Sequence, residues 1–235
     1  MKYYIIAGEK SGDLHASNLI KALKKKDSNA SFRVWGGDMM EEAGAEIVTH
    51  YRQMAFMGFW EVIKNLPRIL GFIKKCKADI LKTQPDVIIL VDYAGFNMRI
   101  AKFAKKKGFR TFYYISPKIW AWNQGRAKNI KKFIDKMFVI LPFEKDFYQK
   151  YEYSVDYVGN PLFDAIENFE KQSDFYQKNK LNPNQKIIAL LPGSRKQEVL
   201  KILPVLLQTS KQFTDYQFVI AGVNNLDESL YQQAK

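Results

Sequence analysis

The 235-residue sequence predicts an α/β protein: a parallel sheet covered by helices, followed by the start of a second α/β unit. Three observations predict it. Short β-branched or aromatic runs alternate with longer stretches of apolar 3–4 spacing. Several of the short runs, such as Val87–Val91, are almost wholly apolar, as strands covered on both faces must be. Twice a strand runs through a glycine turn straight into a helix, at "YYIIAGEKSGDLHASNLIKALKKK" and at "IALLPGSRKQE".

The elements follow in order. Strands are expected at Tyr3–Ala7, Phe32–Trp35, Val87–Val91, Thr111–Ile115, Met137–Ile140 and Val155–Val158. Helices are expected at Leu14–Lys25, Met98–Lys107 and Lys128–Ile134. Alternation of this kind implies right-handed crossovers. The polar segment "ENFEKQSDFYQKNKLNPNQK" reads as a boundary, giving a first lobe over 1–166, a linker over 167–185 and the beginning of a second lobe over 186–235. That second lobe shows strands at Ile187–Leu191 and Tyr216–Ala221 with a helix reaching about Phe213. Two strands do not make a stable doubly wound domain, so it is expected to be completed by residues or a component outside this sequence.

Composition narrows the function classes. With 47% hydrophobic and 26% charged residues, the chain can bury a core and is not of the disordered type. A single cysteine, Cys76, rules out an internal disulfide framework or cysteine metal cluster and fits a reducing compartment. No apolar run reaches the roughly 18 residues of a spanning helix. The first residues read as a strand and not as a signal peptide, so a cytoplasmic location is expected. His15 and His50 are too few for a histidine metal site, and no acidic DxD pair offers metal ligands. No metal and no cofactor is expected.

The net charge of +13 is unevenly placed. Through Lys150 there are 28 Lys and Arg against 14 Asp and Glu; from Tyr151 onward there are 9 against 10. The first part therefore suits an acidic partner: nucleic acid, an anionic membrane surface or a phosphorylated substrate. No nucleic-acid reader motif accompanies the charge, so nucleic acid is the weakest of the three.

Five segments carry side chains suited to chemistry. In the first turn, Glu9 stands at the carboxyl end of a strand, where open α/β sheets bind ligands. A carboxylate there repels phosphate but can bind sugar hydroxyls or accept a proton. Ser11 and Asp13 are both suited to cap the helix that follows. In "PDVIILVDYAGFN", Asp92 ends a buried strand, which is costly unless it is solvated, paired or used. If the two strands are neighbours, Glu9 and Asp92 share one rim. In "YYISPKIWAWNQGRAKNIKKF", Trp120 and Trp122 follow a strand end, suited to stacking on sugar faces or to packing. In "IALLPGSRKQE", free N–H groups and Arg195 at a helix start make the better phosphate cradle of the two turns. Finally, "AFMGFWEVIKNLPRILGFIKKCK" mixes aromatic and basic residues, suited to a membrane surface or to a core-facing helix. Its membrane-side residues would be Phe56, Met57, Phe59, Trp60, Lys64 and Arg68.

Taken in order, "AGEKSGDLHA", "WGGDMMEEAGAE", "MGFWEV", "PDVIILVDYAGFN", "YYISPKIWAWNQGR", "LPFEKDFY", "YVGNPLFD" and "LLPGSRKQE" resemble the lipid-A-disaccharide synthase family over residues 7–198. The resemblance implies a GT-B architecture of two Rossmann-like lobes. It implies a metal-independent, inverting glycosyl transfer from UDP-2,3-diacylglucosamine to 2,3-diacylglucosamine 1-phosphate. It also implies a peripheral position on the inner face of the cytoplasmic membrane. The family pattern "PDFN" carries an Asp favoured as general base; here the stretch is "AGFN", with Gly95 in that place. Asp92 and Glu9 are left as the catalytic candidates. The acceptor side would take Ser11, Gly12, Asp13, Asn97, Ser116, Trp120, Trp122 and Arg126, and the donor phosphates Gly193, Ser194 and Arg195. Another enzyme acting on UDP-N-acetylglucosamine, a 2-epimerase or a sugar transferase, is the alternative. A homo-oligomer of the full-length protein is left open.

Overall fold

The computed structural model describes residues 1–54, 66–167, 169–170, 172–224 and 226–234. Phe56, Met57, Phe59, Trp60 and Lys64 lie outside the described residues. The chain divides into two compact units, Met1–Asn168 and Phe169–Lys235.

The first unit runs β1 (Lys2–Ala7), α1 (Lys10–Lys26), β2 (Ser31–Gly36), α2 (Asp38–Glu42), β3 (Glu46–His50), α3 (Leu66–Thr83), β4 (Val87–Val91) and α4 (Ala94–Lys106). It continues with β5 (Thr111–Tyr114), α5 (Ile119–Trp122), α6 (Ala127–Phe133), β6 (Lys136–Val139), α7 (Phe143–Gln149), β7 (Asp156–Tyr157) and α8 (Pro161–Glu167). All seven strands pair in parallel, in the order β3-β2-β1-β4-β5-β6-β7.

Alternate residues of the same strands serve two cores. Tyr4, Ile6, Ile88 and Leu90 join Ile73, Cys76 and Ile80 of α3 and Ile100 and Ala104 of α4 on one face. Ile5, Ala7, Val87, Ile89 and Val91 join Ala16 and Ile20 of α1 and Met40 of α2 on the other. Double-sided burial is why these strands read as unbroken apolar runs.

Two expectations need correction. The edge strand β3 was not expected, because "EIVTH" at the sheet margin has neither a continuous apolar run nor strict alternation and is only partly buried. The first helix begins at Lys10, with Glu9 as its N-cap residue, and neither Ser11 nor Asp13 caps it.

The second unit holds α9 (Phe175–Lys178), β8 (Ile187–Leu190), α10 (Lys196–Ser210) and β9 (Gln217–Ile220). Its two strands pair in parallel, with Ile187 beside Gln217 and Leu190 beside Ile220.

Candidate functional site

The strand order places a topological switch at the β1/β4 pair. From β1 the chain winds outward through β2 to β3; from β4 it winds the opposite way through β5 to β7. Open α/β sheets bind ligands in the crevice that such a reversal leaves at the carboxyl ends of the strands. Ala7 is in register with Val91. Glu9 and Asp92, beyond those two residues, therefore stand at the same edge of the sheet, beside the switch point. Glu9 is half-buried and Asp92 is exposed.

The turn after β4 is strained and firmly held. Asp92 and Tyr93 both lie in the left-handed region, at φ 45° and 47°. Ile115, just past the end of β5, has φ 67°, a rare state for a β-branched residue. Each such residue costs on the order of 1–3 kcal/mol and persists where its surroundings over-determine it. The surroundings do so here. The buried Asn97 side chain donates from Nδ2 to the carbonyls of Asp92 at 2.7 Å and Val91 at 3.2 Å. The Tyr113 hydroxyl donates to the same Asp92 carbonyl. The Tyr93 hydroxyl donates to the Met54 carbonyl at 3.1 Å. Its ring fills the space a side chain on Gly8 would need, since a Cβ there would lie 2.2 Å from Tyr93 Cγ. Burial raises the Tyr93 pKa, and the Glu9 charge adds to the effect.

Several residues expected on the acceptor side have other tasks. Asp13 is 2% exposed, and its carboxylate accepts from the backbone N–H groups of Gly37 at 2.7 Å, Met39 at 3.2 Å and Met40 at 3.3 Å. It therefore caps the start of α2, a helix remote from it in sequence. Gly12 is buried, and a Cβ on it would lie 3.2 Å from Ala7 Cβ, so it sets the close approach of α1 to the strands. Asn97 holds the Asp92 turn. Ser116 is 5% exposed and shares a 2.7 Å hydrogen bond with the Tyr148 hydroxyl. The contacts named for these four residues all lie within the fold.

Ser11, in the first turn of α1, is exposed. Trp120 packs edge-on against Phe143 at 4.9 Å. Trp122 is 64% exposed, with the Arg126 guanidinium 4.5 Å above its ring. This aromatic–cation pair lies in the segment leaving β5, whose carboxyl end belongs to the same edge as Asp92.

In the second unit, Gly193 sits at φ 104°, which glycine tolerates and other residues resist. The carboxylate of Glu198, one turn into α10, fills the turn. Its Oε2 accepts from the backbone N–H groups of Ser194 at 3.0 Å and Arg195 at 3.2 Å, and Oε1 accepts from the Arg195 guanidinium at 3.2 Å. Partial desolvation pushes the Glu198 carboxyl up, and these hydrogen bonds outweigh it, so it titrates below the ordinary carboxylate range. The sequence predicts an empty anion cradle; the structure fills it with the protein's own anion.

His15, set aside in the sequence as a metal ligand, lies on α1. It lies one helical turn beyond Gly12 on α1 and is half-buried, and its Nδ1 has no hydrogen-bond partner.

A switched parallel sheet with acidic groups at its reversal point, followed by a second unit with a glycine turn, defines the class: an α/β protein of the GT-B type. Solved structures agree on the fold. UDP-GlcNAc 2-epimerase from Neisseria meningitidis bound to UDP-GlcNAc superposes with a TM-score of 0.69 at 13% identity, over 96% of this chain and 67% of that one. The Methanocaldococcus jannaschii UDP-GlcNAc 2-epimerase, in complex with UDP-GlcNAc and UDP, gives 0.67 at 16% identity, over 95% and 66%. At the sequence level the chain belongs to the lipid-A-disaccharide synthetase family, whose model matches residues 3–235. It is 42% identical over 207 residues to lipid-A-disaccharide synthase of Trichlorobacter lovleyi, covering 88% of this chain and 54% of that protein. It is 39% identical over 226 residues to the Coxiella burnetii Dugway lipid-A-disaccharide synthase, covering 94% and 60%. The chain thus spans a little over half the length of these relatives.

Proposed function

We propose that this chain supplies the acceptor-side lobe and the opening of the donor lobe of a glycosyltransferase of lipid A biosynthesis. The reaction joins UDP-2,3-diacylglucosamine to 2,3-diacylglucosamine 1-phosphate and releases UDP, with inversion at the anomeric carbon. The observation that carries this reading is the pair of carboxylates, Glu9 and Asp92, flanking the switch between β1 and β4. Family membership names the reaction; the rim supplies groups suited to it. A base there removes the proton of the acceptor's 6-hydroxyl as that oxygen attacks, which is worth about 10²–10⁴ in rate. Sugar and not phosphate belongs at the first turn, because Glu9 disfavours a second anion. The diphosphate belongs at Gly193, Ser194 and Arg195, where it would displace the Glu198 carboxylate that accepts from the Ser194 and Arg195 N–H groups and the Arg195 guanidinium.

The acylated substrates bring the protein to a membrane. Among the described residues no helix is long and apolar enough to cross one. Helices α3, α4 and α6 pack side by side over one face of the sheet. They expose Arg68, Lys74, Lys82, Arg99, Lys102 and Lys128, and Asp79 is the single acidic residue on the three. That face suits the anionic inner surface of the cytoplasmic membrane.

The test is a transfer assay on Asp92→Asn and Glu9→Gln separately, with acylated and unacylated UDP-sugar donors. At least one variant is expected to lose about 10²-fold or more in turnover. Near-normal turnover in both would remove the two carboxylates from the chemistry. Epimerisation of UDP-N-acetylglucosamine without transfer would favour the 2-epimerase alternative.

A further inference from the structure

We propose that the α1-side face of the first unit's sheet binds a long-chain fatty acid, with the hydrocarbon tail lying over β4, β5 and β6 and the carboxylate at Arg110. This goes beyond the transfer reading and does not rest on it. The two faces of β5 and β6 are unequally covered. Tyr113, Met137 and Val139 are buried in the core shared with α4 and α6. Phe112, Tyr114 and Phe138 alternate with them along the strands and are only half-buried. Pairing sets Phe112 beside Ile89 and Tyr114 beside Phe138, and the Phe112 and Phe138 rings meet edge to face at 5.9 Å. Together with Leu19 and Leu23 of α1 and Pro161 of α8, these side chains line a groove of about 520 Å³. Small-molecule sites measure about 300–1,000 Å³ and are mostly apolar with a few placed polar groups.

The groove has a charged end. Arg110, the residue before β5, lines it and also lines a second depression of about 510 Å³ together with Lys105 and Lys136. These three cations lie at the amino-terminal edge of the strands, opposite the edge that carries Glu9 and Asp92. Lys105 is paired with Asp135 at 2.5 Å and Lys136 with Asp156 at 3.9 Å. Asp135 also accepts from the Thr111 N–H at 2.8 Å. Arg110 is exposed, and its guanidinium has no carboxylate partner among the described residues. One uncompensated guanidinium suits one carboxylate, held through two parallel N–H···O contacts. Asp164 of α8, whose charge acts on Tyr114, repels an anion at the far wall, so the carboxylate belongs at Arg110 and the tail over the aromatic residues. A second copy of a chain with net charge +13 is a poor match for this basic rim. An apolar groove ending at an unpaired cation matches an anion-headed hydrocarbon chain.

The test is a titration of dodecanoate, kept below its micellar range, into the 235-residue chain, read by calorimetry and by amide NMR shifts. Saturable binding at one site is expected, with the shifts clustered at Phe112, Tyr114 and Phe138. Decanoate should bind about tenfold more weakly, because two methylenes fewer are taken out of water. Arg110→Gln should weaken dodecanoate about tenfold and leave uncharged 1-decanol unchanged. Ala22→Trp, at an exposed position of α1 that lines the groove, should fill it and abolish binding while the circular dichroism of the folded chain is kept. No saturable binding by the wild type would overturn the site. Shifts clustered at Glu9 and Asp92, or undiminished binding in Ala22→Trp, would place the ligand elsewhere and overturn it too. Equal dodecanoate affinity in Arg110→Gln would overturn the role of the guanidinium. A wild-type chain that sediments as a dimer and takes up no dodecanoate would give the face to a second copy and overturn the proposal.

Discussion

The side-chain amide of Asn97 donates to the carbonyl of Asp92 at 2.7 Å, from the first turn of α4 back to the end of β4. With Tyr113 it fixes a carbonyl whose residue has φ 45°. Asn97→Ala would remove one of the two donors to the Asp92 carbonyl and loosen the strained turn. A loss of about 1–3 kcal/mol is expected, read as a lower urea midpoint. An unchanged midpoint would mean that the turn is held without Asn97.

Gly8 and Tyr93 are coupled by contact. Gly8→Ala places a Cβ 2.2 Å from Tyr93 Cγ and must displace the ring. A cost of about 1–3 kcal/mol is expected. In the Tyr93→Ala background most of that cost should vanish, a coupling of about 1 kcal/mol or more in a double-mutant cycle. Additive losses would contradict the contact.

Asp13 should matter to α2 more than to its own helix. Asp13→Ala removes the acceptor for the N–H groups of Gly37, Met39 and Met40, at an expected cost of about 1–2 kcal/mol. Amide exchange should accelerate at Met39 and Met40 while the first turn of α1 stays as protected as before. Faster exchange confined to α1 would reverse the assignment.

Acid stability should depend on Asp79. Burial pushes its carboxyl up, but hydrogen bonds from Arg33 at 2.8 Å and from the Tyr4 hydroxyl at 2.8 Å outweigh it, so its folded pKa is depressed. A depressed carboxyl contributes stability above its unfolded pKa of about 3.9 and loses it as pH falls through the folded value. The stability gap separating wild type from Asp79→Asn should therefore be full at neutral pH and narrow below about pH 4. A gap that is constant from about pH 7 to about pH 3 would exclude this pair as an acid-sensitive element.

Glu198 should compete with a bound diphosphate, because it already satisfies the N–H groups of Ser194 and Arg195. Glu198→Gln is expected to bind inorganic pyrophosphate about 3–10-fold more tightly than wild type, the ionic competitor being gone. Weaker binding in the variant would show that the carboxylate assists the turn instead.

The legible parts of the sequence were local. Val87–Val91 appears as a strand with the expected bounds, because five consecutive buried apolar residues leave no other reading. The two glycine turns and the carboxyl-end positions of Glu9 and Asp92 could be read for the same reason. The strand "EIVTH" could not, since a half-exposed edge strand has no strong pattern. Asp13 was misread because its partners lie 24 to 27 residues away, and the carboxylate in the second turn was missed because a side chain folding back onto its own turn leaves no compositional trace.

By itself the sequence determined which segments are strands and helices, where charge accumulates and to which family the motifs belong, since these depend on residues near one another along the chain. The tertiary structure decided that β1 lies beside β4, and with it that Glu9 and Asp92 stand at one edge. Strand order is set by backbone hydrogen bonds joining segments some eighty residues apart, and nothing in either segment alone names its neighbour.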